Sequence, residues 1–376
     1  MSLRFIIKQK DFHEAVNSLQ NISSKKGTLS IISNLLVESV QDGIMITGTD
    51  LEVASRIFVS GQVEEEGKLT LPSKKLCEIL RESGSETLFF EEKDNFWVNI
   101  RSGLSTYNLA GMPFEEFPEF PDYSYDGFIT LQSNFFLDLI EKCVFSIAND
   151  QENVYSLTSA LFEKEHEDGK NFLKMITSDG HRLTIIKNEV SADLSNLQLN
   201  EITLIPKKGL VEWKKFCEQR DSIDFSFQEK QLVVKDENAV LIIRLKSGEF
   251  PNYRAIIEAV EQNNYFRVKR VPFLNSLKRI SIFTEDIFHT IQLSIGGKSM
   301  ILSSQNSELG NAKDEIEIEY DGDTLMLGFN CRYFIETLQV MEGEFVDVFI
   351  NSNNSPCLMK SDDDIGFLSI IMPMQL

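Results

Sequence analysis

The residues that most often carry chemistry are scarce in this chain. Its five cysteines, Cys77, Cys143, Cys217, Cys331 and Cys357, are scattered with no Cys-x-x-Cys pair among them, so neither a disulfide framework nor a zinc ribbon is expected. The four histidines, His13, His166, His181 and His289, are equally dispersed, and no His-x-x-x-His or mixed Cys/His spacing suggests a metal site. No stretch approaches the roughly 18 apolar residues of a membrane span. Lys8, Lys10 and Asp11 interrupt the N-terminal region where a secretion signal would be apolar, so the expected location is the cytoplasm. Positive charge is in deficit as well. With 37 Lys and Arg against 58 Asp and Glu, the net charge of −21 argues against a polyanionic partner unless the basic residues are segregated.

Enzyme signatures are incomplete. Gly296-Gly297-Lys298-Ser299 lacks the earlier glycine of a phosphate-binding loop, where Gln292 stands, and reads better as a hairpin turn. Asp179-Gly180-His181 has no Gly-x-Ser-x-Gly elbow to accompany it. Neither catalytic residues nor a cofactor are expected.

What the chain does have is repetition. Two Phe-Pro-rich joints, Phe117-Pro118-Glu119-Phe120-Pro121-Asp122-Tyr123 and Phe250-Pro251-Asn252-Tyr253, divide the 376 residues into three similar thirds, 1–127, 128–260 and 261–376. The first third opens with a strand from Leu3 to Lys8. A helix follows, with Phe12, Ala15, Val16, Leu19 and Ile22 on one face, and then strands around Asn34 to Val40, Gly43 to Thr49 and Leu51 to Ser60. The order recurs at once: a strand from Lys68 to Leu71, a helix opened by Pro72 and Ser73, and three more strands. The second third copies both halves, and the last third repeats them more loosely, with helices at Pro272 to Phe283 and Arg332 to Met341. The chain thus reads as six strand-helix-three-strand half-units of α+β class, whose helices would share one side of a continuous sheet if successive half-units pack together.

Charge is distributed by element. The helical windows 11–26, 72–83, 134–146, 206–220, 272–283 and 331–341 carry nets of 0, +1, −1, +3, +2 and 0, which leaves −26 for the remainder. Lys74, Lys75, Arg81, Lys207, Lys208, Lys214, Lys215, Lys278 and Arg279 could therefore face a polyanion while strands and loops turn acidic surface outward. Contact of this kind would be with phosphates and independent of base sequence. An ordinary solvated helix face explains the same lysines, and a repeat-built protein-binding scaffold explains the same repetition.

Several segments, in this order and spacing, resemble the bacterial DNA polymerase III beta subunit family, the sliding clamps. They are Ser33-Asn34-Leu35-Leu36, Thr47-Gly48-Thr49-Asp50-Leu51-Glu52, Ser178-Asp179-Gly180-His181-Arg182-Leu183, Gly248-Glu249-Phe250-Pro251-Asn252-Tyr253-Arg254, Gly328-Phe329-Asn330 and Met372-Pro373-Met374-Gln375-Leu376. The resemblance spans the full length. It implies the DNA clamp fold: three similar domains per chain, in a ring-forming head-to-tail homodimer whose helices surround duplex DNA. It also implies a non-catalytic processivity factor that tethers the polymerase III alpha subunit, the clamp-loader delta subunit, translesion polymerases and mismatch-repair proteins.

By the same resemblance a short Gln-Leu-rich peptide of each partner enters an apolar pocket between the second and third domains. The matching positions are Leu157, Ser178, Gly180, His181, Arg182, Leu183, Pro251, Ile256, Phe288, Asn330, Tyr333, Pro356, Ile370, Ile371, Met372, Pro373, Met374, Gln375 and Leu376. Apolar and methionine side chains suit an adaptable groove, and His181, Arg182 and Asn330 could fix polar groups of the peptide. A plain reading of Asp179 to Arg182 as a polar hairpin turn stays open. For DNA the resemblance implies Lys26, Lys74, Gln151, Tyr155, Lys207, Lys208 and Lys215. Val154, Ser156 and Ala255 stand where many relatives have Arg or Tyr, which implies weaker contact. At the subunit contact it implies Tyr107 and Leu109 against Ile282 and Phe283, with Leu104 and Thr106 in place of basic residues and hence a more apolar seam.

Overall fold

The structure is a computed structural model that describes residues 2–23, 30–149, 155–284, 289–306, 310–352 and 355–374. Six half-units follow one another in the expected order. The first is β1 (Arg4–Lys8), α1 (Gln9–Gln20), β2 (Asn34–Val40), β3 (Gly43–Thr49) and β4 (Val53–Glu65). The second is β5 (Lys68–Pro72), α2 (Ser73–Glu82), β6 (Thr87–Glu92), β7 (Trp97–Ser102) and β8 (Ser105–Ala110). The third comprises β9 (Ile129–Gln132), α3 (Ser133–Glu141), β10 (Ser159–Glu167), β11 (Lys170–Ser178) and β12 (Arg182–Val190). The fourth comprises β13 (Leu204–Pro206), α4 (Lys207–Glu218), β14 (Ser222–Gln228), β15 (Gln231–Lys235) and β16 (Ala239–Arg244). A short helix, α5 (Tyr253–Glu258), occupies the second joint. After it come β17 (Tyr265–Lys269), α6 (Arg270–Ser281), β18 (Thr290–Gly296), β19 (Ser299–Asn306) and β20 (Gly310–Glu317). The last half-unit is β21 (Leu325–Asn330), α7 (Cys331–Val340), β22 (Phe345–Phe349), β23 (Cys357–Lys360) and β24 (Phe367–Ile371).

The repeat is visible in the core. Phe12, Phe136 and Phe273 occupy one position near the starts of α1, α3 and α6, and all three are fully buried. One turn later Val16, Ile140 and Leu277 are buried in the same way. This spacing of three to four residues gives each helix one apolar stripe, whose burial removes about 1.5–3 kcal/mol of apolar exposure per large side chain. The Gly296-Gly297-Lys298-Ser299 segment is a hairpin turn joining β18 to β19, with φ +59° at Gly297.

Successive half-units pair within each third, as β1 with β6, β9 with β14 and β17 with β22, but the thirds are joined in another way. The chain forms two compact units, one of Met1–Asn134, Leu194–Gln198 and Lys208–Leu245, the other of Phe135–Asp193, Leu199–Lys207 and Lys246–Leu376, so the middle third contributes to both. In the first unit a twelve-stranded sheet runs β8-β7-β6-β1-β4-β16-β15-β14-β9, with β3, β2 and β5 branching from β4. In the second an eight-stranded sheet runs β13-β10-β11-β12-β24-β23-β22-β17, and a four-stranded sheet runs β20-β19-β18-β21. The joining pairs are β4 with β16 and β12 with β24, both antiparallel. Each joins the last strand of one half-unit to the last strand of the half-unit three places on.

Candidate functional site

The turn between β11 and β12 is built by two short side chains. Asp179 Oδ1 accepts from the backbone N–H groups of His181 and Arg182 at 3.0 and 3.1 Å, while Ser178 Oγ donates to the Arg182 carbonyl at 2.7 Å and accepts from Gly180 N–H at 3.1 Å. Gly180 sits at φ +89°, where a side chain is strained, and faces Leu157. The turn leaves His181 exposed and sends Arg182 inward to 7% exposure.

Each nitrogen of the Arg182 guanidinium makes a hydrogen bond. Its Nε donates to Asp179 at 2.9 Å, Nη1 to Glu336 on α7 at 2.5 Å and Nη2 to the Phe145 carbonyl at 2.6 Å. The guanidinium also lies 4.5 Å from the centroid of the Tyr333 ring, and His181 stacks on that ring at 6.5 Å. Arg182 thereby positions Tyr333 and the turn, a task the sequence reading, in which it could fix polar groups of a peptide, did not name. Asn330 is likewise engaged, since its side chain caps α7 by accepting from Arg332 N–H at 2.9 Å.

The last strand completes the surface. Ile371 and Ile370 pair with Arg182 and Leu183, and beyond β24 the Met372 N–H donates to the His181 carbonyl at 2.9 Å. Met374 N–H then donates to the Gly328 carbonyl at 2.8 Å, which carries the segment past β21. Met372 is 41% exposed, and Pro373 and Met374 are half-buried. Leu183 and Ile370 belong to one apolar cluster with Tyr253 and Leu161, against which Ile256 of α5 packs. Pro356 is half-buried beside Cys357, the partner of Ile371, and Pro251 is exposed ahead of α5. Contacts thus link Leu157 to the turn, the turn to Tyr333 and to the last strand, and Ile256 to the cluster beneath them, while Leu157, Leu183, Ile370 and Ile371 are themselves buried. Phe288, Gln375 and Leu376 lie outside the described residues.

Sequence reasoning missed what holds α5 in place. The Tyr253 hydroxyl donates to Glu163 at 2.6 Å and accepts from the buried Lys174 ammonium at 2.9 Å. Burial and the Glu163 carboxylate together push the phenol well above its ordinary range. The neighbour pair Asn252-Tyr253 signalled a joint in the sequence, but Lys174 and Glu163 are remote from it along the chain.

The same turn occurs once more, in the first unit. Asp50 Oδ1 accepts from Glu52 and Val53 N–H at 3.0 and 2.8 Å, and Thr49 Oγ1 donates to the Val53 carbonyl at 3.1 Å and accepts from Leu51 N–H at 3.0 Å. Arg244 N–H donates to the Glu52 carbonyl at 2.9 Å, as Met372 does to His181. Where Gly180 opens the second turn, Leu51 carries φ +75° with a half-exposed side chain.

Most helical cations are already matched by carboxylates. Lys75 pairs with Glu78 at 2.6 Å, Lys215 with Glu212 at 2.8 Å, Lys208 with the buried Asp50, and Arg279 with Asp314. Lys207 donates to the Ile147 carbonyl at 3.0 Å and to Asn149 at 3.2 Å. Lys74 is exposed on α2. Lys26 and Gln151 lie outside the described residues, and of Tyr155 only the backbone, in a short 3₁₀ turn, is described. At the sheet ends, Tyr107 and Leu109 lie on the free edge strand β8, with Leu109 buried and Tyr107 half-buried. Ile282, 64% exposed, and the half-buried Phe283 follow α6, and Phe283 lies beside Gly310 at the start of the edge strand β20. Among the described residues no group of His, Cys, Asp or Glu is placed to hold a metal ion, and no helix is long and apolar enough to cross a membrane.

Three family models match in sequence along the chain. The N-terminal domain of the DNA polymerase III beta subunit matches residues 3–121, the central domain residues 130–252 and the C-terminal domain residues 259–375. Among curated relatives, the beta sliding clamp of Haemophilus influenzae is 27% identical over the whole of both chains. That of Chlamydia trachomatis is 26% identical over all of this chain and 87% of its own. The solved sliding clamp of Bartonella birtlesii, bound to griselimycin, superposes over the whole of both chains with a TM-score of 0.92 at 21% identity. The clamp of Bacillus subtilis does so with a TM-score of 0.90 at 22% identity.

Proposed function

Because the chain belongs to the DNA polymerase III beta subunit family, it is a DNA sliding clamp without catalytic activity of its own, and we propose how its residues close the ring and hold its partners. The observation that carries the proposal is the pairing of last strands. β4 with β16 joins the first half-unit to the fourth, and β12 with β24 joins the third to the sixth. The second and fifth half-units end in β8 and β20, each a free edge of its sheet. Continuing the same rule pairs β8 of one chain with β20 of a second, twice over, and closes a head-to-tail dimer. Its domains are 1–127, 128–260 and 261–376.

Partner peptides dock on the surface formed by Leu157, Gly180, Leu183, Ile256, Tyr333 and the strand from Ile370 to Met374. Its apolar side chains give affinity, and the two methionines adapt to peptides of different sequence. The occupants are the polymerase alpha subunit, the clamp-loader delta subunit, translesion polymerases and mismatch-repair proteins, in the cytoplasm where the chromosome is copied. Lys74, Lys207, Lys208 and Lys215, with Lys26, Gln151 and Tyr155, are the proposed DNA contacts. The carboxylates beside Lys208 and Lys215 keep phosphate attraction weak, which suits a ring that slides.

Loading the protein onto nicked circular DNA with a clamp loader and then linearising the circle tests the reading. Retention before the cut and loss after it are expected. Equal retention on the linear product would exclude a topological link.

A further inference from the structure

A second kind of contact lies in the crevice between α6 and α7. It encloses about 430 Å³, and its walls include Lys278 and Ser281 on α6, Arg332, Glu336 and Gln339 on α7, and His289 between them. The α7 residues recur at three- and four-residue intervals, so they share one face. The charges around the crevice are unevenly matched. Glu336 is taken by Arg182, and Arg279 by Asp314, whereas Lys278 and Arg332 form no ion pair among the described residues. Arg332 Nη1 lies 3.3 Å from His289 Nε2, and His289 Nδ1 lies 2.6 Å from the Thr284 carbonyl. A carbonyl can only accept, so Nδ1 carries the proton and Nε2 accepts from Arg332. The guanidinium is therefore oriented by the His289 ring.

Repetition gives this position a second meaning. Lys74, Lys208 and Arg332 are each the second residue of the second helix of their third, α2, α4 and α7. Lys208 is neutralised by Asp50, so Arg332 is the member of this set that lines a crevice with another unpaired cation.

We propose that Lys278 and Arg332 form a phosphodiester-binding site, which holds one backbone phosphate of duplex DNA, with Ser281 and Gln339 as neutral donors. The proposal rests on the sliding-clamp reading. It assigns DNA contact to the C-terminal third, where the family resemblance assigned none.

The test is the salt dependence of binding to a short labelled duplex, followed by fluorescence polarisation with the full-length protein. Neutralising both cations in the Lys278→Gln/Arg332→Gln variant is expected to lower the slope of log K against log salt by about 1, close to the 0.9 expected per phosphate released. The charge-conserving Lys278→Arg/Arg332→Lys variant should keep the wild-type slope, and both variants should melt like wild type. Lys74→Gln serves as the reference. If Lys74→Gln lowers the slope and the double neutralisation does not, this site is wrong and the clamp reading survives. If the wild-type protein shows no salt-dependent binding at all, the phosphate contacts proposed here and at Lys74 fail together, and the clamp reading is judged separately by retention on circular DNA.

Discussion

Arg182 distributes one guanidinium over three elements: the turn it belongs to, α7 through Glu336, and the Phe145 carbonyl. A lysine could reach one of these acceptors but not all three, because an ammonium is a point charge on a flexible stem. Arg182→Lys is expected to weaken binding of a labelled Gln-Leu-rich peptide by about 1.5–3 kcal/mol, roughly tenfold or more, as Tyr333 loses its backing. The dimer should persist. Fluorescence polarisation and light scattering on the same sample measure both. The sequence could mark Arg182 as part of the site but not its task, since its acceptors at Phe145 and Glu336 are 37 and 154 residues away. Asn330 was obscured differently: an asparagine before a helical stripe is a cap signal, and capping and ligand binding use the same oxygen.

Elements were the most legible level, because each helix advertises its buried stripe and each hairpin its turn residues. What could not be read was which strands meet. Val53 and Ile243 are far apart in the chain, and nothing in either strand's alternation names the other. α5 was missed as well, since six residues after Pro251 carry too short a pattern to show a helical period. One tie between elements is open to titration. Lys142, just after α3, lies 3.0 Å from Asp138, 3.5 Å from Glu342 and 3.7 Å from the fully buried Asp364 carboxylate. Burial alone would lower its pKa, but the Asp138 hydrogen bond and the three carboxylates outweigh it and raise it above 10.5. A raised cationic pKa contributes stability that is complete below 10.5 and lost as pH climbs through the folded value. Lys142→Met should therefore lower the urea midpoint at neutral pH, and the difference from wild type should shrink in alkali. A constant difference across that range would remove the ionic explanation.

At the scale of the molecule, the residues proposed for the seam between chains are apolar where they are most exposed. Leu104 at the start of β8 is fully exposed, Ile282 is 64% exposed and Trp97 on the neighbouring β7 is 47% exposed. Apolar contacts are little screened by salt, so the dimer should hold as ionic strength rises. Leu104→Glu is expected to give monomers at micromolar concentration in light scattering, with an unchanged melting profile for each unit. A dimer that instead falls apart in salt and tolerates the substitution would point to an ion-paired seam. The three-part division and the overall function were legible from the sequence through its joints and motifs. For the seam, the sequence marked Leu109, whose side chain is buried, so at that position β8 offers a second chain its backbone edge.

The edges β8 and β20 have a further consequence. A chain that offers β8 at one place and β20 at another is, by its valence, a monomer of a linear polymer, since every addition exposes the next pair of ends. Closure after two chains consumes both and leaves no growing tip. The ring is then also a terminated chain reaction. Any lesion that opens a seam without separating the subunits restores two reactive strand edges, so the risk it carries is filament growth as much as release from DNA.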